Sequence, residues 1–278
     1  MGWRHEHKIS EEGKNIAREI AMLGTAGDAH VERVSVSDIY PDHWWGDEWW
    51  AQLKAAGRYA HVLSAIKLKE PPDAETSRQE AIEVYNNRNA ADYQSRLGEI
   101  IEENEGPPSY YHRMLFTDMG RNVQTGALIK KVITWSLPPI MYFKHHWKRA
   151  RPAQLEPRIR PVIDCPAHPA YPSGHSTQSH LIALVMGKVT GRDDIRDALW
   201  DAAGRIAQNR EYAGVHYKSD SACGSDLAQQ LLPFFVAEND GPIAKAHAEE
   251  WGEEGWKSPQ IAVFVPLLRF FDGRITGR

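Results

Sequence analysis

Apolar residues recur every three or four positions over most of this chain, the spacing of a helix with one buried face. The clearest run, Ile82, Tyr85, Asn89, Tyr93, Leu97 and Ile100 or Ile101, predicts one helix. Thr76-Ser77-Arg78-Gln79 supplies a capping-box start after Pro71-Pro72, and Gly106-Pro107-Pro108 supplies a stop. Similar periodicity predicts helices over Glu11–Leu23, Trp49–Ile66, Gln124–Trp147, Ser176–Val189, Asp193–Ala213 and Ser219–Val236. No segment alternates with period two for long, and Ile261–Val265 fits either a strand or a helical turn. There is no internal repeat, low-complexity tract or Gly/Ser linker. The expected fold is mostly α, a single-domain helical bundle over 1–278 with an N-terminal helical layer at 1–105. The proline-dense stretch from Pro152 to Pro172 reads as a long loop, and such loops inside helical domains are often functional.

Composition narrows the function classes. With 42% hydrophobic residues, the 278-residue chain can bury a full core. A net charge of -4 argues against a general nucleic-acid binder, which usually carries a basic excess. The charged start Met1-Gly2-Trp3-Arg4 lacks the apolar stretch of a signal peptide, and no run is long and apolar enough for a transmembrane span. The expectation is a soluble, cytoplasmic protein. Cys165 and Cys223 are too few for a disulfide framework and read as two buried thiols, with one disulfide left open.

Three segments carry candidate chemistry. The first is Lys144-His145-His146-Trp147-Lys148-Arg149-Ala150-Arg151-Pro152. On a continuous helix Lys144 and Arg151 share a face and address one anion, and the proline ends that helix. Taken alone, the run also fits a solvated basic face. The second is Tyr171-Pro172-Ser173-Gly174-His175-Ser176, directly before an apolar helix. Ser173 suits an N-cap and Gly174 lets a ligand approach the backbone. A helix N-terminus presents free N–H groups to an anion, and His175 beside it can exchange a proton. An ordinary capped helix start is the alternative. Ser176 fails as an elbow nucleophile, because Gln178 stands where glycine is needed and no strand precedes it.

The third segment runs from Asn209 to Asp220. Ile195, Leu199, Ala202 and Ile206 define an apolar face that Arg210 continues, so Arg210 points inward and needs an anionic partner. That partner is either a ligand or a structural carboxylate. Gly214 suggests a turn that returns His216 toward Arg210, and Asp220 sits where it can fix the histidine tautomer.

Read in order, Lys-x6-Arg-Pro, Pro-Ser-Gly-His and Arg-x5-His-x2-Ser-Asp resemble one superfamily. It joins type 2 phosphatidic acid phosphatases, class A bacterial acid phosphatases and vanadium-dependent haloperoxidases. The motifs span Lys144 to Asp220, and one position departs: Asn209 stands where the family usually has serine. The resemblance implies the α-bundle of that type, with a catalytic core at about 106–240. It implies His216 as the nucleophile forming a phosphohistidine, Asp220 as its orienting partner and His175 as acid and base. Lys144, Arg151, Ser173, Gly174 and Arg210 would hold the phosphate or vanadate oxygens. No metal is then required.

The expected function is a soluble, metal-independent phosphatase acting on phosphate monoesters, without a cofactor. The alternative is a haloperoxidase that binds vanadate in the same pocket, with His216 bound to vanadium. His168, just before the second motif, looks like bromide- and iodide-oxidising members and would tune halide or peroxide chemistry; a plain loop histidine is the other reading. Against peroxidase, the chain is short for that branch, and Met141 stands where those enzymes often carry tryptophan. The expected partners are a small phosphorylated substrate, or a halide with hydrogen peroxide, and homo-oligomerisation stays open. A non-enzymatic anion-binding protein with a relic site is a third reading, Trp44, Trp45, Trp49 and Trp50 giving it a sticky surface. Those tryptophans otherwise pack the N-terminal layer, Trp45 on Trp49, or roof the pocket. A metallohydrolase lacks its His-Glu-x-x-His pattern.

Overall fold

The computed structural model describes residues 39–104, 111, 115 and 122–251. All of them belong to one compact unit, Ser37–Arg278. The expected helix Glu11–Leu23, the stop at Gly106-Pro107-Pro108 and the segment Ile261–Val265 lie outside the described residues. Helices dominate the described residues: α1 (Asp47–Ala55), α2 (Ala60–Leu63), α3 (Ala74–Asn86), α4 (Tyr93–Asn104), α5 (Val123–Trp147), α6 (Pro152–Leu155), α7 (Gly174–Thr190), α8 (Asp193–Tyr212) and α9 (Lys218–Ala246). No strand forms among the described residues, where one isolated bridge joins Ile39 to Arg149. The mostly α expectation holds.

Helix α7 is the centre. Leu181, Ile182, Ala183, Val185, Met186 and Val189 are all buried, because α5, α8 and α9 pack around it. Each buried leucine or isoleucine contributes about 1.5–3 kcal/mol. That surrounded position explains why α7 reads as apolar on every side rather than amphipathic. Gly224 on α9 sets the closest approach. A Cβ there would meet the Ser173 carbonyl and the Ser176 Cβ at 2.7 Å, so only glycine lets α9 lie against the start of α7.

Several sequence expectations need correction. The run from Ile82 to Ile101 is two helices, since α3 ends in a 3-10 turn at Asn87–Asn89 before α4 begins. The expected face ends correctly on the buried Ile100, but Ile82 and Asn89 are exposed, and Ser77, Ala81 and Val84 are the buried positions of α3. The cap of α3 is Asp73, whose Oδ1 accepts the Thr76 N–H at 2.8 Å, rather than a box starting at Thr76. The stretch Trp49–Ile66 breaks into α1, a 3-10 turn and α2. Trp45 precedes α1 and packs against Trp50 and His145, not on Trp49. Both cysteines are free, and Cys165 is exposed rather than buried.

Helix α5 stops at Trp147, four residues before Arg151. Lys148 takes the left-handed conformation (φ 48°, ψ 36°) and its N–H caps the Lys144 carbonyl at 2.9 Å. Lys144 and Arg151 therefore do not share a helix face. Arg151 is extended and caps the short α6, as the residue before a proline prefers.

Candidate active site

The end of α5, the start of α7 and the turn between α8 and α9 meet at one buried place. Lys144, Arg151, Ser173, Arg210, His216 and Asp220 are all buried, and His175 is half-buried. Two backbone links tie the segments together. The Ser173 N–H donates to the Asp220 carbonyl at 3.0 Å, and the Ala170 N–H donates to the Arg149 carbonyl at 2.9 Å.

Gly214 makes the turn that sets His216. At φ +83° it occupies the left-handed region, where a Cβ would meet Ile159 Cγ2 at 2.9 Å. Beyond the turn His216 Nδ1 lies 2.9 Å from Asp220 Oδ2. An ionised carboxylate only accepts, so Nδ1 carries the proton and Nε2 keeps its lone pair. Arg151 Nη1 lies 3.1 Å from that Nε2 and, being a donor only, caps it.

Asp220 is held from three sides. Besides His216 it accepts from the Tyr217 N–H at 3.0 Å and from Arg149 Nη1 at 2.6 Å. Arg149 in turn reaches Glu80 Oε2 at 2.6 Å and Ser77 Oγ at 3.0 Å, both on α3, and stacks over the Tyr217 ring. In extended backbone, residues two apart share a side. Arg149 and Arg151 thus reach the two ends of one His–Asp pair.

The three expected cations are not equally available to a ligand. Arg151 spends its donors on the carbonyls of His168, Pro169 and Val215 and on the two histidines. Lys144 Nζ donates to the carbonyls of Pro169 and Ala170, each at 2.8 Å, which leaves one N–H. Arg210 differs. Its Nη2 donates to the Ile100 carbonyl at 2.8 Å and to Glu103 Oε2 at 3.2 Å, whereas Nε and Nη1 are buried without a partner among the described residues. Unpaired buried guanidinium donors are costly, and an anion is the group that relieves them. At the start of α7, Ser173 Oγ accepts the Ser176 N–H at 3.4 Å, and Gly174 and His175 open the helix with no preceding turn to bond their N–H groups.

The electrostatics agree with a site built for negative charge. Burial, then Arg151, Lys144, His175 and Arg210, hold His216 well below the ordinary histidine range. Burial, then Arg210, depress His175 to about 3. Burial and Arg151 also push Lys144 well below its usual value. Burial chiefly, and then the surrounding cations, make each of these groups prefer to be neutral.

His168 is buried, its Nδ1 accepting from Arg151 Nη2 at 3.0 Å, and its ring meets Trp49 edge-on at 4.7 Å. Burial, Lys144 and Arg151 hold it neutral. It is a buried histidine of the loop before α7, held between Arg151 and Trp49. Met141 is buried one turn before Lys144.

Sequence reading missed Arg149, Glu80 and Glu103. Arg149 lies inside the basic run, but the motif spacing marks only Lys144 and Arg151. The two glutamates come from α3 and α4, distant in sequence, and no local pattern marks them.

This arrangement extends over the part of the chain that a family model recognises. Residues 125–249 match the PAP2 superfamily. The PAP2 stretch contains all three motif segments, as the sequence resemblance requires. Among solved structures, the chain is similar to the first bacterial vanadium-dependent iodoperoxidase, with TM-score 0.50 and 19% identity. That likeness covers 62% of this chain and 52% of the other, so the chain spans about half the length of the iodoperoxidase. A transmembrane PAP2-type phosphatidylglycerolphosphate phosphatase from Bacillus subtilis is also similar, with TM-score 0.43 and 16% identity over 68% of this chain and 96% of that one. The first likeness concerns the fold. No curated protein matches the chain. Among the described residues, no helix is long and apolar enough to cross a membrane. The helical fold shared with the iodoperoxidase is the frame that holds this site.

Proposed function

We propose that the chain is a phosphatase that hydrolyses small phosphate monoesters through a phosphohistidine, without a metal. The observation that carries this reading is the pairing of the unprotonated His216 Nε2, capped by Arg151 Nη1, with the Nε and Nη1 of Arg210, which have no partner among the described residues. One supplies a nucleophile and the other the empty donors for an oxyanion.

In this mechanism Arg151 Nη1 leaves His216 and turns to a phosphoryl oxygen. His216 Nε2 then attacks phosphorus, and the ester P–O bond breaks with its electron pair on the leaving oxygen. His175 protonates that oxygen. Burial chiefly depresses His175, and the bound anion offsets the further effect of Arg210, Lys144 and Arg151, which raises the histidine toward the proton it donates. In the second half a water gives a proton to His175 and attacks phosphorus. The N–P bond breaks, its pair returns to Nε2, and inorganic phosphate leaves. Lys144, Arg210, Ser173 and the Gly174 N–H hold the equatorial oxygens, where charge builds in the transition state.

A second reading places vanadate in the same cradle, and the contact of His168 with Arg151 favours it. The donor set fits: His216 Nε2 would hold vanadium and the phosphate-binding groups its oxygens. Bound there, vanadate supplies peroxide activation for bromide or iodide oxidation.

One preparation decides between them. Hydrolysis of an aryl phosphate without vanadate is measured beside iodide and bromide oxidation with vanadate and peroxide. Phosphatase turnover that disappears in His216→Ala is the expected result. Halide oxidation without phosphatase activity overturns the first reading, and full activity in His216→Ala overturns both.

A further inference from the structure

Glu103 stands beside the anion cradle, and the phosphatase mechanism gives it no role. Its side chain is almost fully buried on α4, with Oε2 on Arg210 Nη2 at 3.2 Å and Oε1 on Asn209 Nδ2 at 2.8 Å. Its own backbone carbonyl lies 3.4 Å from His175 Nε2. We propose that Glu103 is a proton-linked counter-ion of the anion cradle: its carboxylate holds Arg210 before the ligand arrives, and it takes up a proton as an oxyanion binds. The inference rests on the anion-site reading above and adds a residue that selects for the anion by pH.

The geometry of Arg210 carries the case. One edge of its guanidinium, Nη2, is clamped to Glu103 and the Ile100 carbonyl, while Nε and Nη1 remain for a ligand. An oxyanion on those donors and the Glu103 carboxylate would then share one buried cation. Two negative charges at one such site raise the proton affinity of the weaker acid. A protonated carboxyl keeps its carbonyl oxygen for Arg210, so the clamp survives the change. The O–H bond forms with a proton from solvent, and no other bond changes.

The surroundings leave Glu103 easy to protonate. On its own helix Glu99 adds a like charge but is engaged by Arg205 at 2.8 Å, and Arg96 is committed to Asp92, Gln208 and the Asn209 amide oxygen. From α8 it faces Arg210 and Asn209, and from α7 it faces His175. Burial outweighs the one cation it touches and pushes its carboxyl up to about 7.

This arrangement also accounts for the departure at position 209. Asparagine donates from Nδ2 to Glu103 and Glu99 while Oδ1 accepts from Arg96. A serine hydroxyl has one hydrogen, so it cannot donate to both glutamates. Asn209 and Glu103 therefore belong to one device.

Sulfate tests this, because it remains a dianion on both sides of neutral pH. Its dissociation constant is measured by calorimetry for the full chain and for Glu103→Gln from below to above the Glu103 value of about 7. The wild type is expected to lose affinity by up to about tenfold per pH unit above that point beyond any loss in the variant, the signature of one linked proton. Parallel profiles overturn the role of Glu103 and leave the anion site standing. Absence of sulfate binding in the wild type below neutral pH overturns both.

If Glu103→Gln does not fold, infrared difference spectra of the wild type answer the question. Sulfate added above neutral pH should raise a protonated-carboxyl band that persists in Glu211→Gln. No band, or a band lost in Glu211→Gln, overturns the proposal. The second control is needed because burial also raises Glu211 to about 7.

Discussion

Arg149 donates Nη1 to Oδ1 of Asp220 at 2.6 Å, with both side chains buried. Because Asp220 gives its other oxygen to His216 Nδ1, Arg149 acts on the histidine through the carboxylate. It is a positioning residue. Arg149→Met strands Asp220 and the mostly buried Glu80 without their cation, and breaking such a buried pair costs about 3–5 kcal/mol. Turnover should fall by about 10–100-fold, the usual loss when a supporting partner is removed. Its distinguishing readout is the split between kcat and KM. Without Arg149, Asp220 loses the partner that fixes it against His216 Nδ1, so kcat should fall while KM for an aryl phosphate changes little. An unchanged kcat in the folded variant would reduce Arg149 to a stabilising residue.

Asp220→Asn addresses the tautomer directly. An asparagine nitrogen facing His216 donates where the carboxylate accepted, so Nδ1 loses its proton and Nε2 gains one. The nucleophile is then blocked without a large change in shape. A fall in kcat on the order of 10⁴ is expected, as when an orienting aspartate is neutralised elsewhere. Circular dichroism checks that the fold remains. Retention of more than a tenth of the activity would show that Asp220 does not set the proton on His216.

How much of this was legible in the sequence depends on the range of each interaction. The boundaries of α5, α7 and α8 could be read, because burial on α7 and its neighbours imposes an apolar period. Ser173 as a cap, Gly214 as a turn and Arg210 as inward-pointing were visible for the same local reasons. The left-handed turn at Lys148 was not visible, because it goes with a tertiary link, the Tyr40 N–H to the Lys148 carbonyl at 2.6 Å. Glu103 was hidden in the same way. Its significance depends on Arg210, more than a hundred residues along the chain, and no periodicity encodes that meeting.

Gly224→Ala links packing to the site. The new methyl would meet a backbone carbonyl and a Cβ at 2.7 Å, atoms that cannot rotate away. Either α9 retreats or the start of α7 moves. Overpacking of this kind costs about 1–3 kcal/mol. Since Ser173 and Gly174 are the atoms displaced, KM for an aryl phosphate should rise along with the loss of Tm. Equal loss of stability with unchanged KM would mean that α9 alone yields.

The last prediction concerns stability and pH. His175 falls from an ordinary 6.5 to about 3, chiefly through burial and then Arg210. The unfolded chain therefore binds a proton on His175 more readily than the folded one. Above about 6.5 both states are neutral and nothing is lost. As pH falls from there toward 3, the unfolded state gains a proton first, and stability drops by at most about 1.4 kcal/mol per pH unit. Glu103 runs the other way: raised from 4.5 to about 7, it favours the fold below 4.5 and loses that contribution as pH rises to 7. The two opposing slopes overlap, so the wild-type curve alone is uninformative. Comparison with His175→Asn isolates the histidine. The variant should gain in Tm on the wild type steadily as pH falls below about 6.5, and saturating sulfate should shrink that gain by returning charge balance to the pocket. A Tm difference that stays constant from neutral pH to pH of about 4 would mean that His175 is not held neutral by its surroundings.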